Sequence, residues 1–290
     1  MSTRLPRCVH LNGRLVAVRR ASVSVFDRGL LYGDGLFETV RAYRGALFAL
    51  DQHLLRLRSS ARFLGIAVPR YAWRTDINAL LKRNRLLTTD ARVRITVTRG
   101  AAARGVVPPR GIRPTTIITA EAVDPAVARA QQRGVRVALV PFARDGFLAE
   151  HKVLNYLPGV LGKRIAARHH AFEGLFIYPT GHVMEGTTSN LFVWHGKRLL
   201  TPPAAGILPG LTRRLIIGAA AADGIRVHER PLSGKDLFDA DEALLTSSVM
   251  EVVPIIEVDG RSIGGARVGP RTRRLQHLYR QIVVQSLARR

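Results

Sequence analysis

Residues 183–192 read Val183-Met184-Glu185-Gly186-Thr187-Thr188-Ser189-Asn190-Leu191-Phe192. An acidic residue, Glu185, leads into a turn of glycine, threonine and serine, and the apolar run 191–194 follows it. An apolar run after a tight turn predicts a buried strand. Glu185 is then either an ordinary turn residue or a carboxylate that the turn presents for a chemical purpose.

Strands and helices are predicted on both sides of this segment in an irregular order. Asn12-Gly13 and Arg44-Gly45 each separate two apolar runs, which predicts two hairpins. Further strands are predicted at 92–98, 115–120, 135–141, 175–178, 191–194, 199–200 and 242–246. Helices are predicted at 52–64, 71–83, 155–169, 212–222 and 270–287, and one begins after Asp124-Pro125. In the last helix the residues predicted to face inward are Leu275, Leu278, Ile282 and Leu287.

This order lacks the strict strand–helix–strand alternation of a doubly wound sheet, so the sequence predicts an α+β fold. At about 150 residues per domain, 290 residues predict two domains. The strand ending near residue 120 is followed by Asp124-Pro125, a helix start. We therefore expect a small N-terminal domain at 1–120, a linker at 121–125 and a larger C-terminal domain at 126–290.

The composition is that of a folded globular protein, with 47% hydrophobic and 23% charged residues and a mean hydropathy of +0.05. It excludes a disordered chain and a multi-span membrane protein. No apolar run approaches the length of about 18 residues that a membrane helix needs, and the basic N-terminus lacks the apolar stretch of a secretory signal. The single cysteine, Cys8, excludes a cysteine metal cluster. We expect a cytoplasmic enzyme with no metal site and no membrane partner.

The chain has 45 basic and 21 acidic residues, which gives a net charge of +24. Five of the basic residues are lysines and forty are arginines. An excess of this size is found in proteins that bind nucleic acids or acidic ligands. Here the arginines are spread along the chain, so we expect a solvated basic surface and no nucleic-acid partner.

Lys152 lies in the apolar setting His151-Lys152-Val153-Leu154-Asn155-Tyr156-Leu157. Burial among apolar residues disfavours the charged ammonium. The neutral amine is the form that attacks a carbonyl to make a Schiff base. The alternative is a surface lysine whose neighbours happen to be apolar.

A second motif, Gly206-Ile207-Leu208-Pro209-Gly210-Leu211-Thr212-Arg213, is a loop that runs into a predicted helix. The free N–H groups and the dipole of a helix start suit a phosphate, and Thr212 can cap the helix and also donate to the phosphate. Arg56, on the predicted helix 52–64, would supply a cation. Glu185 would suit a pyridine nitrogen, because a carboxylate keeps it protonated and makes the ring an electron sink.

Together these segments resemble the fold-type IV pyridoxal-phosphate enzymes, a family of branched-chain and D-amino-acid aminotransferases and aminodeoxychorismate lyases. The resemblance covers nearly the whole chain in the family's order. It is carried by Asp27-Arg28-Gly29, Tyr32-Gly33-Asp34-Gly35-Leu36-Phe37-Glu38-Thr39, His53-Leu54-Leu55-Arg56-Leu57, Ser60-Ala61, Lys152, Asn155-Tyr156-Leu157, residues 185–192 and 206–213, Thr246-Ser247-Ser248, Glu251, Pro254, Gly269-Pro270 and Thr272.

The resemblance implies that the cofactor is pyridoxal 5'-phosphate, held between a smaller N-terminal and a larger C-terminal domain. Lys152 would form the Schiff base and move the α-proton, Tyr156 would bond the phenolic oxygen, and Glu185 would pair with the pyridinium nitrogen. Arg56, the backbone of Leu211 and Thr212 would hold the phosphate, and Ser248 stands where the family has a phosphate-binding threonine. Ser247 would also bind the cofactor. The family also implies a homodimer whose sites borrow N-terminal residues, with Tyr32 as a wall of the neighbouring site.

The substrate contacts are less uniform within this family. On the predicted strand 92–98 polar residues alternate with apolar ones, and Arg92-Val93-Arg94 stands where branched-chain enzymes have a carboxylate-binding Tyr-x-Arg. In the next loop, Arg104-Gly105 resembles a pair common in aminodeoxychorismate lyases, and Met250-Glu251-Val252-Val253-Pro254 resembles another lyase segment. Arg41 aligns with a pocket arginine of the branched-chain enzymes. The candidate substrate residues are thus Tyr32, Arg41, Arg94 and Arg104.

Transamination is the broadest activity on this scaffold. We therefore expect an aminotransferase that moves an amino group between an amino acid, of the D or branched-chain type, and a 2-oxo acid. The alternative is an aminodeoxychorismate lyase that releases pyruvate and 4-aminobenzoate.

Overall fold

The structure is a computed structural model that describes residues 5–103, 105–142 and 146–288. The chain divides into two compact units. The first consists of the chain up to Asp124 together with His151–Tyr156, and the second consists of Pro125–Glu150 and the chain from Leu157 onward. The boundary at Asp124 falls inside the predicted linker, although the preceding strand continues to Ala122. The assignment of His151–Tyr156 to the first unit differs from the prediction, which placed all of 126–290 in the second domain.

The first unit is built on a six-stranded sheet of order β2-β1-β6-β5-β3-β4, in which neighbouring strands are antiparallel. Its strands are β1 (Cys8–Leu11), β2 (Arg14–Ala17), β3 (Gly35–Tyr43), β4 (Ala46–Leu47), β5 (Ala91–Thr98) and β6 (Thr115–Ala122). Its α-helices are α1 (Arg28–Tyr32), α2 (Leu50–Leu64) and α3 (Trp73–Arg83). Both predicted hairpins are confirmed, although the second strand of the second hairpin is short because α2 already begins at Leu50.

The alternation predicted for β5 determines which face of the sheet packs inward. Val93, Ile95 and Val97 are fully buried, while Arg92 is exposed and Arg94 is half-buried. Helix α2 covers the sheet with one stripe of side chains at helical spacing, which are Leu50, His53, Leu54, Leu57 and Ala61. The polar face of β3 and β5 is therefore the face that remains available for a site.

The second unit contains a ten-stranded mixed sheet. Its strands are β7 (Val135–Val140), β8 (Glu173–Ile177), β9 (His182–Gly186), β10 (Asn190–His195), β11 (Arg198–Thr201), β12 (Arg226–Glu229), β13 (Leu232–Ser233), β14 (Glu242–Ser247), β15 (Glu251–Val258) and β16 (Arg261–Ser262). Its α-helices are α4 (Ala126–Arg133), α5 (Leu157–Arg168), α6 (Leu211–Ala222), α7 (Gly234–Phe238) and α8 (Pro270–Ala288). The pairing of Asn190 with Glu185 links β10 to β9 and closes a circuit of six strands, β10-β14-β15-β7-β8-β9.

The second unit differs from the sequence prediction in several elements, since β9, β12, β13, β16 and α7 were not predicted. Strand β15 was not predicted, although it lies in the middle of the sheet and contains Pro254 paired with Leu244. In α8 the fully buried positions are Thr272, Leu275, Tyr279 and Val283. Leu278, Ile282 and Leu287 are only half-buried, because the face of α8 that packs inward contains Tyr279 and Val283. In the described part of the chain, none of the helices combines the length and the apolar character that a bilayer span requires.

Candidate active site

Lys152 is held in the first unit by a short strand pairing with the beginning of β3. Phe37 N donates to the Lys152 carbonyl at 2.9 Å, and Leu154 N donates to the carbonyl of Gly35 at 2.9 Å. Val153 pairs with Leu36 between these two bonds. A Cβ on Gly35 would lie 2.8 Å from the Val97 carbonyl oxygen, so glycine is needed where β3 passes the backbone of β5. The backbone of Lys152 is therefore fixed by the sheet.

The aromatic ring of Phe37 gathers three of the side chains of interest. Lys152 Nζ lies 4.4 Å from the ring centroid and the Arg94 guanidinium carbon lies 3.7 Å from it. The Tyr156 ring meets Phe37 edge-on, with centroids 5.4 Å apart. Cations over an aromatic face are stabilised by the ring quadrupole. The structure thus brings together Lys152, Tyr156 and Arg94, which the sequence predicted separately.

Arg94 lies on the polar face of β5 as predicted. Its Nε donates to Thr96 Oγ1 at 3.2 Å. Burial lowers the pKa of the Arg94 guanidinium, the neighbouring Arg92 lowers it further, and Tyr156 opposes both. Arg92, two residues away on the same face, is exposed and paired with Glu121 at 2.9 Å. Of these two arginines, only Arg94 is placed beside Lys152.

Arg56 is fixed by a buried carboxylate that the sequence did not single out. Glu38 is fully buried, and its two oxygens accept from Arg56 Nε at 2.7 Å and Arg56 Nη2 at 2.8 Å. His53 Nδ1 lies 2.7 Å from Glu38 Oε2. Burial by itself would raise the pKa of Glu38, but the charge of Arg56 and the hydrogen bonds from Arg56 and His53 lower it to about 2. Glu38 is therefore an anion at neutral pH, paired with the Arg56 guanidinium.

The other substrate candidates of the first unit have different partners. Arg41 pairs with Asp90 at 2.7 Å and its guanidinium lies 4.7 Å from the Tyr43 ring centroid. Tyr32 is partly exposed, and its hydroxyl accepts from Gly105 N at 3.2 Å. Arg104 lies outside the described residues.

An exposed apolar surface surrounds Tyr32. It consists of Val25, Phe26, Leu30, Leu31, Tyr32, Val106 and Val107, with Val106 81% and Val107 85% exposed. Arg28 holds the two parts of this surface together, because it donates to the carbonyls of Gly105 at 2.7 Å and Val106 at 2.8 Å. Contiguous exposed apolar patches of this kind mark interaction surfaces.

In the second unit, Glu185 is joined to the loop that precedes α6. Glu185 Oε2 accepts from Leu208 N at 3.2 Å, and Asn190 Nδ2 donates to the Leu208 carbonyl at 3.0 Å. Asn190 pairs with Glu185 on one side and with Thr246 on the other. Since directly paired residues of antiparallel strands point to the same face, these three side chains form one row.

The predicted phosphate ligands of the second unit lie at the end of this loop and at the end of β14. Leu211 begins α6, Gly210 is its N-cap without a side-chain bond to the first turn, and Thr212 is buried. A Cβ on Gly210 would overlap Asn190 Oδ1, so the backbone at Gly210 passes close to the Asn190 side chain. Ser247 and Ser248 follow Thr246, whose buried Oγ1 has no hydrogen-bond partner among the described residues. An uncapped helix start beside hydroxyl groups fits a phosphate.

Comparison with known proteins assigns the family. The sequence pattern of the family Amino-transferase class IV matches residues 35–258, which include Lys152, Tyr156, Glu185 and the segment 206–213. The chain belongs to the class IV aminotransferases. It is therefore an enzyme with the fold-type IV architecture, from a family that depends on pyridoxal phosphate.

Relatives within the family carry different activities. The chain is 38% identical to the putative branched-chain-amino-acid aminotransferase of Methanocaldococcus jannaschii, over 94% of this chain and 96% of the relative. It is 33% identical to the aminodeoxychorismate lyase of Bacillus subtilis, over 94% of each, and 32% identical to the D-alanine aminotransferase of Bacillus licheniformis, over 97% and 99%. A solved structure of a hypothetical aminotransferase from Mycobacterium tuberculosis, in its PLP-bound form, matches with a TM-score of 0.83 and 26% identity, over 96% of this chain and 99% of that one.

Sequence reasoning did not assign roles to Phe37, Glu38, His53 and Asn190. The signal for Glu38 was present, because an acidic residue inside a strand of apolar residues needs a buried cationic partner. His53 and Arg56, three residues apart on the helix that follows, were the candidates. The role of Asn190 depends on strand pairing, which the sequence does not display.

Proposed function

We propose that this class IV aminotransferase uses pyridoxal 5'-phosphate, bound covalently by Lys152, to move an amino group between an amino acid and a 2-oxo acid. The proposed amino acid is of the branched-chain or D type. The observation that carries the proposal is the grouping of Lys152, Tyr156 and Arg94 around Phe37. This group contains an amine that can hold the cofactor, a nearby tyrosine hydroxyl and a cation that can bind the substrate carboxylate.

Each residue has a distinct task in this proposal. When bound, pyridoxal phosphate supplies the electron sink for the reaction. The Lys152 amine holds the cofactor and moves the proton of the substrate α-carbon, and the Tyr156 hydroxyl bonds the phenolic oxygen. Glu185 keeps the pyridine nitrogen protonated. The phosphate is bound by Arg56, the Leu211 N–H, Thr212, Ser247 and Ser248.

Arg94 is the proposed partner of a substrate carboxylate. It is half-buried, so a carboxylate that reached it would leave bulk water and gain a strong, directed contact. Lys152 and Arg94 contact the same ring, so the proton-moving amine and the proposed carboxylate-binding cation are close to each other.

We also propose that the enzyme works in the cytoplasm as a homodimer that uses the apolar surface around Tyr32. The loop residues Val106 and Val107 are among its most exposed members, and Arg28 fixes this loop through its carbonyls. An ordered loop that presents valines to water is suited to contact a second copy. Mass measurement in solution checks this, and a monomer at working concentration would contradict it.

The alternative reaction, release of pyruvate from aminodeoxychorismate, is favoured by the Bacillus subtilis relative. One of the two lyase-like segments, however, is occupied with packing. Met250 is buried and its carbonyl accepts from Gln131 Nε2 at 2.8 Å, while Val252, Val253 and Pro254 are buried in β15. This segment therefore gives no direct support for a lyase substrate contact.

A half-reaction panel tests the proposal. The cofactor-loaded enzyme is mixed with single D- and L-amino acids, and conversion to the pyridoxamine form is followed by absorbance while pyruvate release from aminodeoxychorismate is measured in parallel. We expect conversion with at least one amino acid to be faster than pyruvate release. The opposite order would replace the aminotransferase by the lyase, and no conversion together with no pyruvate release would refute both.

A further inference from the structure

We propose that Glu38 is a positioning residue that sets the plane of the Arg56 guanidinium for the phosphate of the cofactor. This inference rests on the proposed function, since it takes pyridoxal phosphate as the ligand. It assigns a task in cofactor binding to a side chain that does not itself reach the phosphate.

The first support is the placement of Glu38. Successive side chains of a strand point to opposite faces, so Glu38 faces α2 whereas Phe37 faces Lys152. Its cross-strand neighbour on β5 is the fully buried Ile95. A carboxylate in such apolar surroundings carries a large desolvation cost unless it is paired and fully hydrogen-bonded.

The second support is the geometry of the pairing. Arg56 meets Glu38 with Nε and Nη2, which is the two-pronged arrangement that fixes the plane of a guanidinium. The pairing takes two of the five N–H donors of Arg56. The two Nη1 donors lie on the other edge of the same rigid plane. An arginine fixed in this way presents its Nη1 edge to a phosphate in one orientation. The side chain of an unpaired arginine would first have to be ordered when the phosphate binds.

The third support is His53, which lies three residues before Arg56 on the same side of α2. Burial lowers the pKa of His53 although Glu38 opposes this, so the ring is neutral near pH 7. A neutral ring beside a carboxylate donates from Nδ1, which assigns the proton to that nitrogen. Glu38 Oε2 thus accepts from both His53 and Arg56, and the carboxylate is held against rotation.

A buried ion pair of this kind is weak evidence for stability, because desolvation offsets the attraction. Arg56 is itself a predicted phosphate ligand, so the orientation of its guanidinium explains the presence of the pair better than stability does. The consequence is specific to the phosphate. Loss of Glu38 should weaken binding of pyridoxal phosphate while leaving the binding of pyridoxal, which lacks the phosphate, nearly unchanged.

The experiment measures the dissociation constants of pyridoxal phosphate and of pyridoxal for the apoenzyme, by absorbance titration, and takes their ratio. We expect Glu38→Gln to reduce the preference for the phosphorylated form about tenfold, the scale of one charge-assisted hydrogen bond. Glu121→Gln is the matched control, since Glu121 also pairs with an arginine but is exposed, and its ratio should equal that of the wild type. In an Arg56→Lys background, Glu38→Gln should change the ratio no further.

Three results overturn the inference. They are an unchanged ratio in Glu38→Gln, an equal loss for both ligands, and a full additional loss in the Arg56→Lys background. If Glu38→Gln does not fold, His53→Ala is measured, and it should lower the same ratio by a smaller factor; no change would count against the inference. Failure of the proposed function is distinguishable, because the wild type itself would then bind pyridoxal phosphate no better than pyridoxal.

Discussion

Replacement of Arg94 by alanine should weaken the use of substrate and spare the cofactor. The guanidinium lies 3.7 Å from the Phe37 ring centroid and is half-buried, so its contact with a carboxylate would be only partly screened by water. Removal of a charge-assisted contact of this type costs about 2–4 kcal/mol. At about 1.4 kcal/mol per factor of ten, kcat/KM for the amino-acid half-reaction should fall roughly 30- to 700-fold.

Arg92→Ala is the matched control for this experiment. Arg92 lies two residues away on the same face of β5, but it is exposed and paired with Glu121, so its loss should change kcat/KM less than about threefold, as for an exposed ion pair. The assay is single-turnover conversion of the cofactor-loaded variants, with cofactor occupancy measured separately. Equal effects of the two replacements would refute the reasoning, and so would an Arg94→Ala loss explained wholly by lost cofactor.

Three further outcomes are expected. Lys152→Ala should abolish turnover while circular dichroism and thermal melting stay close to the wild type; measurable turnover would contradict the assignment of the amine. Glu185→Gln should reduce the half-reaction rate on the order of a thousandfold with little change in substrate binding, whereas near wild-type turnover would make Glu185 a turn residue. Because the pKa of Glu38 is lowered from 4.5 to about 2, its contribution to stability, up to about 3 kcal/mol, is present above pH 4.5 and is lost as the pH falls toward 2. The free energy of unfolding of Glu38→Gln should therefore fall less over that range than that of the wild type, and parallel curves would argue against the lowered pKa.

The excess of arginine over lysine has a partly structural explanation. Arg28, Arg99 and Arg273 each donate through two nitrogens to two backbone carbonyls of a distant segment. A planar fork of donors can hold two carbonyls at fixed spacing, which a lysine ammonium does less well. Arginines of this kind stabilise loops and helix ends.

Local structure was predictable wherever the pattern of side chains was itself local. The hairpin at Asn12-Gly13 and the alternation of Val93 and Ile95 with arginines were read correctly, because turn chemistry and strand period are properties of adjacent residues. Strand β15 was missed because Pro254 argues against a central strand. In α8, Leu278 and Ile282 were predicted to face inward in place of Tyr279 and Val283, since the direction of a helix face depends on its neighbours.

The sequence indicated candidate residues for the site but not their arrangement. The motif around Lys152 was visible, but its pairing with β3 joins residues more than a hundred positions apart. Asn190 and Glu185 contact the Leu208 backbone, which lies 18 and 23 residues further along the chain. Such long-range pairings follow from the packing of the whole unit and leave no local trace in the sequence.

Reduction of the cofactor-loaded protein with borohydride, followed by peptide mapping, tests the central claim most directly. Borohydride makes the link between an amine and pyridoxal phosphate permanent, so the labelled residue identifies the amine that holds the cofactor. We expect a single pyridoxyl group on Lys152, with loss of the yellow colour. A label on Lys163 or Lys197 in place of Lys152, or no label on a protein saturated with pyridoxal phosphate, would contradict the account.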